Sequence, residues 1–203
     1  MLFWGVVPIV IGLLKYHSLS FHKRLIFVLM LCSVGLNLTQ IILALHHIPN
    51  LFIGHIYTLF EFVLIAFIYK STLSKFIPNI AFPLILVVFI LFSLLNAFFI
   101  QGLHANNSYQ RTVEGLLVIL FVLLYFYNTA KELKVKRIEQ EPMFWFSVGA
   151  LLYFSGALFI FIFSNYLLYY SKNLGVTFWA AHAVFLIIFY ISAAIALWIK
   201  PKK

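Results

Sequence analysis

The chain has 203 residues, of which 65% are hydrophobic and 9% charged, with a formal net charge of +9. A soluble domain carries roughly 45–50% apolar and about 25% charged residues, so this composition excludes a water-soluble globule, which would lack the polar surface to cover itself. A nucleic-acid-binding face is excluded too, because the basic residues lie in short segments between apolar runs and form no continuous patch interleaved with aromatics.

Seven apolar runs are the predicted elements, at roughly 2–18, 25–45, 52–69, 79–100, 109–127, 143–168 and 176–199. At 1.5 Å rise per residue, about 20 residues cross the hydrocarbon of a bilayer. The runs leave no stretch long enough for a separate soluble core. The predicted fold class is therefore all-α: a polytopic membrane protein made of one seven-transmembrane-helix bundle over residues 1–203.

The first run, "MLFWGVVPIVIGLLKYH", has no positive leading region and no small-residue cleavage site, so it reads as a short uncleaved helix. Lys15 is expected to snorkel from its end to the headgroups. The second run holds Cys32, the single cysteine, which can form no intramolecular disulfide. Pro49, Pro78 and Pro142 fall at or before helix starts, and Glu139 and Glu141 precede the sixth helix, where its dipole favours anions. The segment "NTAKELKVKRIEQEP" reads either as a solvated extension against anionic headgroups or as a docking surface for a cytoplasmic partner.

Orientation follows from the distribution of Lys and Arg. Seven spans predict alternating basic and neutral loops, and twelve of the fourteen basic residues fall on one side. The two exceptions are Arg111 and Lys172. The N-terminus is expected outside and the C-terminus inside.

Polar residues within the runs are the candidate functional residues, since an intramembrane charge costs about 2.5–3.5 kcal/mol on insertion scales and usually faces a bundle interior or cavity. Glu61 lies near mid-depth of the third run. It is expected either to handle a ligand or ion or to make a buried hydrogen bond between helices. Aligning "YTLFEFVLIAFIY", "QRTVEGLLVILFV" and "FWAAHAVFLIIFY" puts Glu61, Glu114 and His182 in one column, four residues after Tyr57, Gln110 and Phe178. The helix before each carries an asparagine, Asn37, Asn96 or Asn165, which suggests a helical hairpin repeated three times. Topology gathers these groups, with Gln40, His55 and Arg111, into the outer half of the membrane. The expected site is a polar chamber open to the outside, with ligand-binding residues Glu61, Glu114, His182, Asn37, Tyr57, Arg111, Asn165, Gln40, His55 and Asn96. Arg111 and Glu114, three apart on one helix face, can alternatively pair with each other at the interface. Two carboxylates and an imidazole without a spaced His pair make a poor zinc signature, so neither a metal nor another cofactor is expected. Gly149, Gly156, Ser192 and Ala196 should let backbones approach closely, and Trp4, Trp145, Trp179 and Trp198 read as interfacial anchors.

On "IYTLFEF", "EPMFWFSVGALLYFSGALFIF" and "FWAAHAVFLIIFYI", the chain resembles a family of small, uncharacterised seven-span membrane proteins of Bacteroidetes, often encoded beside histidine kinases. Tyr57 and Glu61, Pro142 with Phe144 and Trp145, and His182 carry that resemblance. It implies a bacterial inner-membrane location and a sensory role with a histidine kinase or other membrane partner. The leading functional reading is thus a sensory or ligand-binding accessory protein that binds a small-molecule or lipid ligand in the outer chamber and acts through a cytoplasmic or membrane partner. A small-solute or ion transporter and an intramembrane metal-dependent lipid hydrolase are the alternatives. The second suffers from the absence of any aspartate and of a His pair.

Overall fold

The computed structural model describes residues 2–74, 76–78, 80–132, 137–170 and 172–199. Among these the chain is all-helical, with α1 (Leu2–Leu14), α2 (Phe21–Leu45), α3 (Leu51–Leu73), α4 (Ala81–Leu95), α5 (Ser108–Glu132), α6 (Pro142–Tyr170) and α7 (Lys172–Trp198). A π-helical segment, Asn96–Ile100, extends α4. Six apolar segments of 20 to 25 residues are long enough to cross a membrane. The exception is α1, whose 13 residues rise about 20 Å, short of a hydrocarbon core of roughly 30 Å.

The first element ends earlier than the sequence suggests, and the cause is visible. Lys15 Nζ donates to the Trp198 carbonyl at 2.7 Å and lies 3.7 Å from the centre of the Trp198 ring. Lys23 Nζ likewise donates to the carbonyls of Leu197 and Ile199. Two ammonium groups therefore satisfy the orphan carbonyls at the negative end of the α7 dipole. The chain breaks from α1 into a 3₁₀ turn at Tyr16–Ser18 to place them there.

These bonds put the end of α1, the start of α2 and the end of α7 at one end of the bundle. Ser71 and His22 approach to 3.1 Å, and Asn128 Nδ2 reaches the Thr72 carbonyl at 3.5 Å, so the ends of α3 and α5 lie there too. Lys15, Lys23, Arg24, Lys70 and Lys131 consequently share this basic end, while Arg111 lies at the other. Lys75, Lys134, Lys136, Lys200, Lys202 and Lys203, which the orientation argument also uses, lie outside the described residues, as does the side chain of Lys172.

At the centre stands α3, packed on α2, α4 and α5, while α6 fills the space between α5 and α7 and α1 closes against α7 and α2. The α6–α7 contact depends on small residues. Gly149 backs onto Ser192, and a Cβ on Gly156 would sit 2.5 Å from the Phe185 ring. The least enclosed long helix is α4, which turns Leu84, Val88, Leu91 and Phe99 outward. Such a continuous apolar face is a liability in water and the ordinary exterior of a protein in lipid.

Candidate functional site

The site is built on α3, where Tyr57 and Glu61 are four apart and therefore on one face. The Tyr57 hydroxyl donates to Glu61 Oε1 at 2.7 Å. Ser33 Oγ of α2 lies 3.1 Å from the Tyr57 oxygen and 2.9 Å from that of Tyr190 on α7. Tyr57 has one proton, and the carboxylate is the stronger acceptor. Donation then runs from Tyr190 to Ser33, from Ser33 to Tyr57 and from Tyr57 to Glu61, a hydrogen-bond chain through three helices.

From the other side comes Arg111. The sequence allows it either in the chamber or in an interfacial pair with Glu114, and the polar loop before α5 decides by folding inward. Asn107 Nδ2 donates to the Gly54 carbonyl at 2.9 Å and to Thr58 Oγ1 at 2.8 Å. The start of α5 is thereby held level with Gly54–Thr58, about 5–10 Å below the start of α3 at 1.5 Å per residue. From that depth Arg111 Nη1 reaches Glu61 Oε2 at 3.4 Å, a loose contact beside the usual 2.7–3.2 Å. Its guanidinium is flanked by the rings of Tyr57 and Phe161, whose centres lie 5.0 and 5.2 Å away.

Glu114 lies one turn further along α5, fully buried. Among the described residues neither of its carboxyl oxygens has a hydrogen-bond partner. It lies within electrostatic range of both Glu61 and Arg111, so the pairing of Arg111 with Glu114 that their spacing allows gives way to a pairing across helices. Two buried carboxyl groups thus share one guanidinium. Tyr153 of α6 has its hydroxyl within range of all three and 3.3 Å from His182 Nε2 of α7. The His182 ring is enclosed by Tyr153, Phe161 and Trp179, with centroid separations of 5.6, 5.4 and 5.5 Å.

Above this cluster a cavity of about 570 Å³ lies toward the end of the bundle opposite the basic loops. Asn37 and Gln40 of α2 and the loop from His104 to Ser108 supply polar walls, Phe161 and Trp179 supply ring faces, and Arg111 and His182 line its inner side. Among the described residues that line it, none is acidic. Toward the basic end the polar groups give way to apolar ones: the next buried residues of α3 are Phe62, Ile65, Ala66 and Ile68. Phe62 packs on Phe89 and Phe121 with ring centroids 4.0 and 6.1 Å away. A separate hydroxyl pair, Tyr69 with Ser147 at 2.8 Å, lies about 12 Å further along the helix.

Of the ten residues expected to form the chamber, Glu61, Glu114, His182, Asn37, Tyr57, Arg111 and Gln40 surround this cavity or the cluster beneath it. Two are placed elsewhere. His55 is buried with its Nε2 3.3 Å from the Ala105 carbonyl, and it lines a different, almost wholly apolar cavity between α3 and α4. Asn96 lies in the π-helical segment, where its Nδ2 donates to Gln101 Oε1 at 3.1 Å and ties the loop to α4. The side chain of Asn165 lies outside the described residues. The asparagines of the suggested hairpin repeat therefore do not share a role: Asn37 lines the cavity, while Asn96 holds a loop.

Ser33, Tyr153, Tyr190, Asn107 and Phe161 are site residues that sequence reasoning does not single out, and Trp179, read as an interfacial anchor, lines the cavity. Ser33 carried a usable signal, being four residues before Asn37 on one helix face. The tyrosines carried none, because eleven are spread over the chain. Among the described residues no three His, Cys, Asp or Glu side chains converge as a metal ion would require. Comparison with family models, curated proteins and solved structures finds no match to this chain.

Proposed function

We propose that this protein is a seven-transmembrane-helix receptor of a bacterial inner membrane that captures a small ligand in the cavity between α2, α3, α5, α6 and α7. The N-terminus lies outside and the C-terminus in the cytoplasm, which points the cavity at the extracytoplasmic face. That orientation rests on the positive-inside rule, and the gathering of Lys15, Lys23, Arg24, Lys70 and Lys131 at the opposite end supports it.

The observation that carries the reading is the one-sidedness of the polar interior. A cavity with polar walls and two aromatic faces ends on Arg111, Glu61 and Tyr57, and the apolar rings of Phe62, Phe89 and Phe121 follow. A transporter needs a path on both sides of its site in some state, and the polar groups favouring one continue on one side only. A volume of about 570 Å³ falls in the range of small-molecule sites, roughly 300–1,000 Å³. Helices α3 and α5 contribute side chains to the cluster and end at the basic face, so a ligand that shifts one against the other moves the cytoplasmic loops. The output is taken by a partner such as a histidine kinase.

Native mass spectrometry of protein purified from membranes tests this. The proposal predicts a retained small molecule that is depleted in Asn37→Phe, whose new ring fills the cavity, with the variant still folded. Ligand-free wild-type protein that also draws no kinase or other membrane protein in pull-downs contradicts it.

A further inference from the structure

The chemistry of the cavity floor identifies the class of ligand, given the reading that the cavity binds one. We infer that the ligand is an organic carboxylate, and that it binds together with one proton.

The first part rests on what lines the cavity. Arg111 is a fixed cation, and among the described residues its guanidinium makes one hydrogen bond, the loose 3.4 Å contact from Nη1 to Glu61. Its side chain keeps 15% exposure, and it lines the cavity. The remaining N–H groups of the planar fork match the geometry of a carboxylate. The positive end of α5, a helix of 25 residues, begins at the same wall, and no acidic residue among the described ones lines the cavity to oppose an anion. Phe161 and Trp179 offer ring faces to an apolar or aromatic body.

The second part is charge balance. Beneath the cavity, Glu61 and Glu114 share one guanidinium in a buried setting where net charge is expensive. Among the described residues the groups facing them are the hydroxyls of Tyr57 on α3, Ser33 on α2, Tyr153 on α6 and Tyr190 on α7, together with the His182 imidazole, and none is a second permanent cation. Empty, the cluster is neutral with one carboxyl ionised and the other carrying a proton. When a carboxylate takes Arg111, the cluster stays neutral only if the second carboxyl also takes a proton. Glu114, whose oxygens have no partners among the described residues, and Glu61, freed from the guanidinium, are the two acceptors. The O–H bond formed on that carboxyl is matched by the bond from which a buffer acid in solution gives up its proton: one anion and one proton enter, and the net charge of the cluster is zero before and after.

The test uses calorimetric titration of the purified full chain with benzoate and, as neutral isostere, benzamide, in buffers of different ionisation enthalpy. Decanoate against decanol forms a second arm that separates a water-soluble acid from a fatty-acid source. The inference predicts at least tenfold tighter binding of one of the acids than of its neutral partner, with about one proton taken up per acid bound. Arg111→Gln should lose the preference and Arg111→Lys, which keeps the charge, should retain part of it. Glu61→Gln/Glu114→Gln should bind the acid without proton uptake. Benzamide or decanol binding as tightly as its acid overturns the ligand class and leaves the receptor reading standing. Preferential acid binding by the wild type with no proton uptake overturns the coupling. No saturable binding of any of the four probes counts against the inference and the receptor reading together.

Discussion

Replacing Arg111 by glutamine isolates the interaction at the centre of the site. At 3.4 Å and an effective dielectric constant of about 20, the Coulomb attraction between Arg111 and Glu61 is about 5 kcal/mol. The loss cannot reach that figure, because Glu61 has an escape in taking up a proton. For a carboxyl of ordinary acidity, about 4.3, protonation at pH 7 costs about 3.7 kcal/mol. The variant should therefore lose about 3–4 kcal/mol of stability at pH 7, in line with the roughly 3–5 kcal/mol for breaking a buried pair. At pH 5 the same proton costs about 1 kcal/mol, so the deficit should shrink by about 2–3 kcal/mol as pH falls. The sign follows because the variant binds one more proton than the wild type. Adding Glu61→Gln to Arg111→Gln removes the stranded charge and should restore most of the loss at pH 7. Equilibrium unfolding in detergent or bicelles, run as a double-mutant cycle at both pH values, measures this. An Arg111→Gln protein within about 0.5 kcal/mol of wild type at pH 7, or one whose deficit is the same at pH 5 and unaffected by Glu61→Gln, would refute the reasoning.

Glu114→Gln should behave quite differently, changing stability by less than about 1 kcal/mol, since neither oxygen accepts a hydrogen bond from a described residue and the amide has the size of a protonated carboxyl; a loss above about 2 kcal/mol in the same unfolding assay would mean that its charge is needed. Gly149→Val should cost at least about 1–3 kcal/mol by forcing α6 from α7 at Ser192, read as reduced thermal stability, whereas Gly35→Val, where a Cβ meets nothing within 4 Å, should cost far less. Asn37→Phe should fill the cavity from the α2 wall and abolish retention of any copurifying ligand while the melting temperature holds; undiminished retention would place that ligand elsewhere.

Much of the architecture was legible because lipid simplifies the problem. Apolar length alone marks α2 to α7. The change from α1 to a 3₁₀ turn at Tyr16–Ser18 accompanies the contacts of Lys15 and Lys23 with the carbonyls of α7, some 180 residues away, which no local pattern announces. Glu61, Glu114 and His182 were conspicuous through rarity: a polar residue among apolar ones must face something polar. Depth was harder. The sequence left Arg111 either in the chamber or paired with Glu114 at the interface, because nothing in "QGLHANN" shows that Asn107 hooks onto Gly54 at the start of α5. His55 shows the converse. Its position in α3 suits the chamber by depth, but the six-residue offset from Glu61 turns it toward α4 and the second cavity. The tyrosines were hidden by abundance, since an interfacial and a hydrogen-bonded buried tyrosine read alike in sequence.

The central claim is a polar cavity that opens to one side of the membrane and closes at the level of Glu61. In a Cys32→Ser background, single cysteines introduced by Gln40→Cys and Ala66→Cys can be exposed to a membrane-impermeant charged thiol reagent, applied first to the extracytoplasmic face and then to inverted vesicles. The account predicts that the first site is modified from outside only and the second, buried below the cluster, from neither face. Modification of the Gln40→Cys site from the cytoplasmic face, or of the Ala66→Cys site from any face, would contradict it.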